Sequence, residues 1–153
     1  MRTGPPLLLA ALLSLLAVGG CTIPRWPVDG VLTSPFGIRW QGALPSVHRG
    51  VDISVPIGTP VHPMAPGRVM FAGEMSGFGL VVWLDHGGQV ITAYAHLAEI
   101  RVETGAAVEG ETVLGLSGES GNAQGPHLHF EVWRWGREVD PVPLLGGFPH
   151  PNE

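Results

Sequence analysis

The chain has 153 residues, a formal net charge of −5 and an apolar fraction of 44%, which is enough for one domain with a hydrophobic core. All eight basic residues are arginine, and this excludes a lysine-dependent Schiff-base enzyme, a lysine-modified carrier domain and a P-loop lysine. Because no basic cluster is present, we expect no nucleic-acid partner.

Residues 1–21 predict a targeting segment that is not part of the fold. Arg2 and the terminal amine supply positive charge, and Leu7–Val18 form an almost wholly apolar run. Such a run is short for a membrane span and suits the core of a signal peptide. It leads into Val18-Gly19-Gly20-Cys21, which resembles a bacterial lipobox. We therefore predict that Cys21 is lipidated and becomes the mature N-terminus, with a plain secretory signal as the alternative.

From Trp26 onward the sequence predicts an all-β fold, mainly antiparallel, with little helix. Short runs rich in β-branched and aromatic residues alternate with glycine-containing turns, and no long segment has helical periodicity. Residues 22–25 form a short tether in this interpretation, and residues 26–153 form one domain. One irregular helical turn is predicted at Leu97–Glu103. The predicted strands are Gly30–Thr33, Val51–Val55, Pro60–Val61, Gly67–Ala72, Leu80–Asp85, Gln89–Leu97, Thr112–Leu116 and His127–Trp133.

Histidine and carboxylate side chains recur on one face of three extended segments. Side chains alternate along a strand, so residues two apart share a face. The opposite face of each segment is largely apolar, and the three segments together predict the wall of one metal site. The polar faces carry His48, Gly50 and Asp52 in the first segment, Thr92, Tyr94 and His96 in the second, and His127, His129 and Glu131 in the third.

Imidazole and carboxylate groups suit catalytic zinc, which takes three protein ligands and leaves a fourth position open. Along a straight strand His48 and Asp52 would lie roughly 13 Å apart, too far to bind one ion. The chain must therefore bend between them, and Gly50 permits such a bend. Spacing alone leaves the ligand set open.

In their order along the chain, these motifs resemble the M23 peptidase family, zinc endopeptidases of the lysostaphin and LytM type. The resemblance extends over about residues 26–145. It implies a split-barrel-like β fold of the duplicated-hybrid-motif type and hydrolysis of peptide bonds in peptidoglycan. The matching motifs are Phe36-Gly37-Ile38-Arg39, His48-Arg49-Gly50-Val51-Asp52, Tyr94-Ala95-His96-Leu97 and His127-Leu128-His129-Phe130-Glu131.

By this resemblance the zinc ligands are His48, Asp52 and His129, and the catalytic histidines are His96 and His127. Zinc makes hydroxide available at neutral pH by lowering the pKa of water to about 7. An imidazole near its ordinary pKa can take a proton from water and return it to the leaving amine. Which of the two catalytic histidines is the main base stays open.

Three further residues are candidates for contact with substrate or with a zinc ligand. Arg39 lines the groove or is a structural arginine. Tyr94 shares the face of His96, although an ordinary packed tyrosine is the simpler interpretation. Glu131 orients a ligand histidine or is an exposed carboxylate on a strand. The histidines interpreted as structural are His62, His86 and His150.

The sequence therefore predicts a zinc-dependent endopeptidase that cleaves stem or cross-link peptides of peptidoglycan. A non-catalytic module that binds wall peptides or activates an amidase is the alternative. A D-amino-acid cross-link and a glycine bridge both fit the motifs. We expect a monomer anchored through Cys21 to the inner leaflet of an outer membrane, because Thr22 stands where an aspartate retains lipoproteins at the inner membrane. Secretion is the alternative localisation.

Overall fold

A computed structural model of the protein describes residues 23–41 and 43–148, and this part of the chain is almost entirely antiparallel β structure. The all-β prediction is confirmed. Cys21 and His150 lie outside the described residues. Within the described ranges, no helix is long and apolar enough to cross a membrane. The elements are β1 (Val31–Ser34), β2 (Gly37–Gln41), β3 (Leu44–His48), β4 (Val51–Ser54), β5 (Pro60–Val61), β6 (Gly67–Met75), β7 (Gly79–Asp85), β8 (Val90–Ile100), β9 (Ala107–Val108), β10 (Gly115–Ser117), β11 (Leu128–Arg134), β12 (Arg137–Val139) and the helical turn α1 (Pro141–Leu144).

Most of the strands form one sheet around the long strand β8. The order of neighbours is β1-β4-β11-β8-β7-β6-β9, with β12 added to β11 and β10 pairing with both β8 and β5. Strands β2 and β3 form a separate two-stranded hairpin. The hairpin continues into β4 after only two residues, so it is joined directly to the large sheet beside its edge strand β1.

The main core lies on one face of the large sheet. Tyr94 of β8 and Phe130 of β11 are directly paired, fully buried and in ring contact at 5.3 Å. Burying an apolar side chain of this size stabilises a fold by about 1.5–3 kcal/mol. The residues next to them in sequence, Ala95 and His129, are also paired and point to the opposite face. Packing of the core therefore fixes which residues the other face presents.

Several elements differ from the sequence prediction. The predicted helical turn at Leu97–Glu103 is wrong, because β8 runs on to Ile100, where it pairs with Gly115 of β10. The predicted strand at Thr112–Leu116 begins only at Gly115. The β2–β3 hairpin was not predicted, and its outward residues are not buried by other elements of the described chain.

Candidate metal centre

Three donor atoms from three strands converge on the face of the sheet opposite the main core. His129 of β11 and Asp52 of β4 are directly paired, and His48 is the last residue of β3. Asp52 Oδ1 lies 3.1 Å from His48 Nε2 and 2.8 Å from His129 Nδ1. The two histidine nitrogens lie 3.2 Å apart. These three residues form the group whose donors are close enough to hold a metal ion.

The predicted bend between His48 and Asp52 is present, because the chain leaves the hairpin and enters the large sheet at Arg49-Gly50. Gly50 is required there by the close approach of β11. A Cβ at this position would lie 2.4 Å from the carbonyl oxygen of Phe130. Any side chain at residue 50 would therefore push β4 away from β11 and separate Asp52 from its partner.

The two histidines of the centre are held from behind through different ring nitrogens. His48 Nδ1 donates to the Pro35 carbonyl at 2.8 Å, which leaves Nε2 to face Asp52. His129 is reversed, since its Nε2 lies 2.9 Å from Glu131 Oε1 and its Nδ1 faces Asp52. Trp133 Nε1 donates to the other Glu131 oxygen at 2.7 Å. Glu131 is only 2% exposed, so the alternative of an exposed strand carboxylate is wrong.

The charges of the centre stabilise one another. Burial alone would raise the pKa of Asp52, but hydrogen bonds with His129 and His48 outweigh it and hold that pKa well below its usual range. Burial likewise opposes charge on His129, yet its bonds to Asp52 and Glu131 raise the pKa of His129 to about 9. The two shifts have a common cause, because Asp52 and His129 each favour the charged form of the other.

The donor set fits a tetrahedral zinc ion. With bonds of about 2.1 Å to nitrogen and oxygen, two ligand atoms of a tetrahedral site lie about 3.4 Å apart. The three observed separations, 2.8 to 3.2 Å, need to open by only a few tenths of an ångström. Two imidazoles and one carboxylate are also the ligand chemistry that zinc prefers, and each imidazole is held by a further hydrogen bond through its other nitrogen.

His96 and His127 present two further imidazoles beside this centre. Their rings are 4.7 Å apart, and the His96 ring is 5.8 Å from that of His129. His96 Nδ1 donates to the Ser120 carbonyl and His127 Nδ1 to the Gly125 carbonyl, each at 2.8 Å. Both Nε2 atoms are therefore free to exchange a proton. Burial is the main cause that lowers the pKa of His96, so this imidazole is neutral at neutral pH.

A bulge in β8 turns His96 toward the centre. The pairing of β8 with β7 shifts by one residue between Tyr94 and Leu97, and His96 has a left-handed φ of +61°. The prediction that Tyr94 and His96 share a face is therefore wrong. Tyr94 lies in the core with Leu97, where its hydroxyl accepts from the Met64 backbone nitrogen at 2.8 Å. Tyr94 contacts neither the centre nor its opening.

The loop that supports His96 packs backbone against backbone. Ser120 Oγ donates to the Leu97 carbonyl at 2.6 Å and accepts from the Leu80 nitrogen at 3.0 Å. A Cβ at Gly121 would lie 2.3 Å from the backbone nitrogen of Gly79. The Gly118–Gly121 segment thus fixes the carbonyl that holds His96.

The cavity above the metal centre is also lined by residues that were not predicted. Asn122 and Gln124 line it together with Arg39 and the histidines of the centre. The only sequence signal for these two amides is their position in the glycine-rich turn before His127. Of the histidines interpreted as structural, His86 bonds to the Pro66 carbonyl and Thr92 away from this cavity, and His62 bonds to the Thr112 carbonyl.

Comparisons with known proteins agree with this geometry. The model of peptidase family M23 matches residues 46–141. The chain is 40% identical over 113 residues to the DD-carboxypeptidase/endopeptidase Mpg of Neisseria meningitidis, covering 72% of this chain and 26% of that protein. It is 36% identical over 132 residues to the murein hydrolase activator EnvC of Escherichia coli, covering 84% of this chain and 31% of that protein. The solved structure of a zinc-containing peptidase from Vibrio cholerae matches with a TM-score of 0.71 and 32% identity, over 80% of this chain and 39% of that one. The chain spans about a quarter to a third of the length of these two curated relatives.

Proposed function

Because this chain belongs to peptidase family M23, we propose that it is a zinc-dependent endopeptidase that hydrolyses peptide bonds in the stem or cross-link peptides of peptidoglycan. One observation carries the proposal. The three donors of His48, Asp52 and His129 lie within 3.2 Å of one another, beside two imidazoles whose Nδ1 atoms are already committed to carbonyls. Among the described residues neither imidazole has a hydrogen-bond partner at Nε2, and His127 Nε2 lies 3.7 Å from Asp52 Oδ1, so both atoms remain available for proton transfer.

Each residue has a distinct part in this reaction. His48, Asp52 and His129 would hold the zinc ion, and Glu131 would keep His129 oriented toward it. When bound, zinc supplies a Lewis acid that polarises a carbonyl and lowers the pKa of water.

The two remaining imidazoles manage the proton. One Nε2, of His96 or of His127, accepts the proton of the attacking water and returns it to the leaving amine. The other hydrogen-bonds to the oxygen on which negative charge develops. His127 Nε2 lies 3.7 Å from Asp52 Oδ1 and His127 lines the cavity, whereas His96 is buried. These differences do not assign the two parts, which stay open.

The direct test is digestion of purified cell wall by the zinc-loaded protein, with release of new amino groups and soluble muropeptides as the readout. We expect hydrolysis that a chelator abolishes and that added zinc restores. A zinc-loaded, folded protein that releases no fragments would overturn the proposal.

A second candidate function is activation of a separate amidase without hydrolysis, and the similarity to EnvC favours it. The two functions differ in what the centre contributes. If the protein only activates, an Asp52→Ala variant stimulates the amidase as well as the unchanged protein does. If it hydrolyses, the same variant loses every effect on purified wall in the absence of an amidase.

We further propose that the domain is anchored through Cys21 to a membrane that faces the wall. Trp26, near the start of the described chain, packs against Phe130 at 6.3 Å and donates to the Gly147 carbonyl at 2.8 Å. Phe130 points to the face of the sheet opposite His129. An anchor just before Trp26 would leave the metal centre on the side turned away from the membrane. A Cys21→Ser variant should leave the membrane fraction or stall in processing, and continued membrane retention of the cleaved variant would exclude the anchor.

A further inference from the structure

Arg39 brings a guanidinium group to the opening of the metal centre. It lies on the face of the hairpin that also carries His48, and its side chain is 38% exposed. Its Nη1 is 3.3 Å from Ser34 Oγ and 3.6 Å from Asp52 Oδ2, the second distance being too long for a hydrogen bond. Among the described residues, Nη2 has no hydrogen-bond partner. Arg39 is thus held beside the centre with donors left for a ligand.

The charge of the cavity points to the sign of that ligand. Asp52 is the only carboxylate among the described residues that line it, and Asn122 and Gln124 are neutral amides. With a dication bound, its charge and that of Arg39 would outweigh the charges of Asp52 and of Glu131, which lies 2.9 Å from His129. The opening would then be positive in a protein whose formal net charge is −5. Such a site attracts an anionic group of the substrate.

The position of Arg39 limits where this anion can be. A carboxylate that pairs with Arg39 lies directly beside Asp52, next to the bond that is attacked. On the acyl side of a peptide bond, the α-carbonyl is itself the group attacked. The nearest free α-carboxylate is therefore that of the leaving amino acid.

Resting on the proposed function, we propose that Arg39 binds the free α-carboxylate of the leaving amino acid and so selects the substrate. The substrate class is then a peptide whose leaving residue carries a free carboxylate, as in a D-amino-acid cross-link or at a D-alanyl terminus. An internal glycine bridge lacks this group, because the carboxyl carbon of its leaving residue is part of the next amide. Arg39 is a specificity-determining residue in this proposal, and the planar fork of its guanidinium suits a carboxylate better than a lysine would.

The test uses two synthetic peptides that differ only after a scissile D-alanyl bond, where the leaving residue carries either a free carboxylate or a carboxamide. The quantity measured is the ratio of kcat/KM for the two peptides, with the zinc content of each protein determined in parallel. A charge-assisted hydrogen bond predicts a ratio of about 10- to 100-fold in favour of the carboxylate. Arg39→Gln should bring the ratio close to one, and Arg39→Lys should keep part of it. The matched control is Arg49→Gln, since Arg49 is exposed and faces Glu138, and it should leave the ratio unchanged.

The outcomes separate this proposal from the one on which it rests. A ratio near one for the unchanged protein, or an Arg39→Gln variant that loses both activities equally with the ratio intact, overturns the carboxylate proposal. So does a protein that digests purified wall but cleaves neither peptide. A zinc-loaded protein that cleaves neither the peptides nor the wall overturns the endopeptidase function itself.

Discussion

The metal centre joins two regions that differ in how well they are packed against the rest of the domain. Asp52 and His129 lie on paired strands of the large sheet, backed by fully buried residues such as Val51 and Phe130. His48 lies at the end of the β2–β3 hairpin. Four apolar residues of that hairpin are exposed by 69 to 75%, namely Ile38, Trp40, Leu44 and Val47.

The difference shows what each region contributes. The large sheet fixes two of the three donor residues by backbone pairing, so their geometry exists before any ion binds. The hairpin supplies the third donor residue and Arg39, but it is tied to the sheet mainly through contacts at the centre itself, such as those of His48 with Asp52. We expect the ion to act as a cross-link between the rigid large sheet and the weakly supported β2–β3 hairpin.

The largest effect on zinc binding and hydrolysis should come from removing a metal-binding side chain of the large sheet. His129→Ala leaves an incomplete donor set and should lose zinc and hydrolysis together. His127→Ala removes a proton-transfer group and leaves the donor set complete, so zinc should stay bound while turnover falls by about 10²- to 10⁴-fold. For both variants, the zinc content and the digestion of purified cell wall are measured. An empty centre in His127→Ala would mean that the roles of His127 and His129 are exchanged.

A smaller loss of zinc affinity is expected when the hydrogen bond that holds His129 from behind is weakened. Glu131→Gln keeps the shape of the side chain but weakens its hold on His129 Nε2, and zinc affinity should fall about 10- to 100-fold. Competition with a zinc-binding dye measures the change. The control is Glu138→Gln on β12, whose carboxylate contacts the exposed Arg49 instead of a ligand. Equal affinities for the two variants would show that Glu131 has no part in holding the metal.

Chelation of zinc should selectively increase the mobility of the β2–β3 hairpin. Without the ion the hairpin loses its cross-link, whereas the paired strands β4, β8 and β11 keep their ladder. We expect hydrogen exchange of the β2 and β3 amides to accelerate about tenfold or more, with little change in β8. Hydrogen-exchange mass spectrometry of zinc-loaded and chelated protein measures this. Uniform acceleration in both regions would contradict the comparison.

The same two regions differ in how well the sequence predicts them. Strands β4, β7 and β11 follow from β-branched and aromatic runs, because burial on the core face imposes a period of two. The hairpin was missed, since its apolar residues face solvent and Pro45 interrupts the run. The donor triad was identified by resemblance to a family, whereas spacing along a straight strand had placed His48 and Asp52 far apart. The structure brings them together through a change of sheet that residue periodicity cannot express.

The bulge at His96 was also beyond a reading of strand periodicity, and it gives the smallest expected effect. A left-handed φ at a residue with a Cβ costs about 1 kcal/mol or slightly more, and glycine does not bear this cost. His96→Gly should therefore unfold at higher urea than His96→Ala, with a free energy of unfolding larger by about 1 kcal/mol. Measurements on chelated protein keep zinc binding out of the comparison. At His127, which does not have a positive φ, the usual order should hold, and Ala should be at least as stable as Gly. If Ala is the more stable substitution at both positions, the backbone at residue 96 is not strained. The β8 bulge would then direct the imidazole toward the centre without a cost in stability.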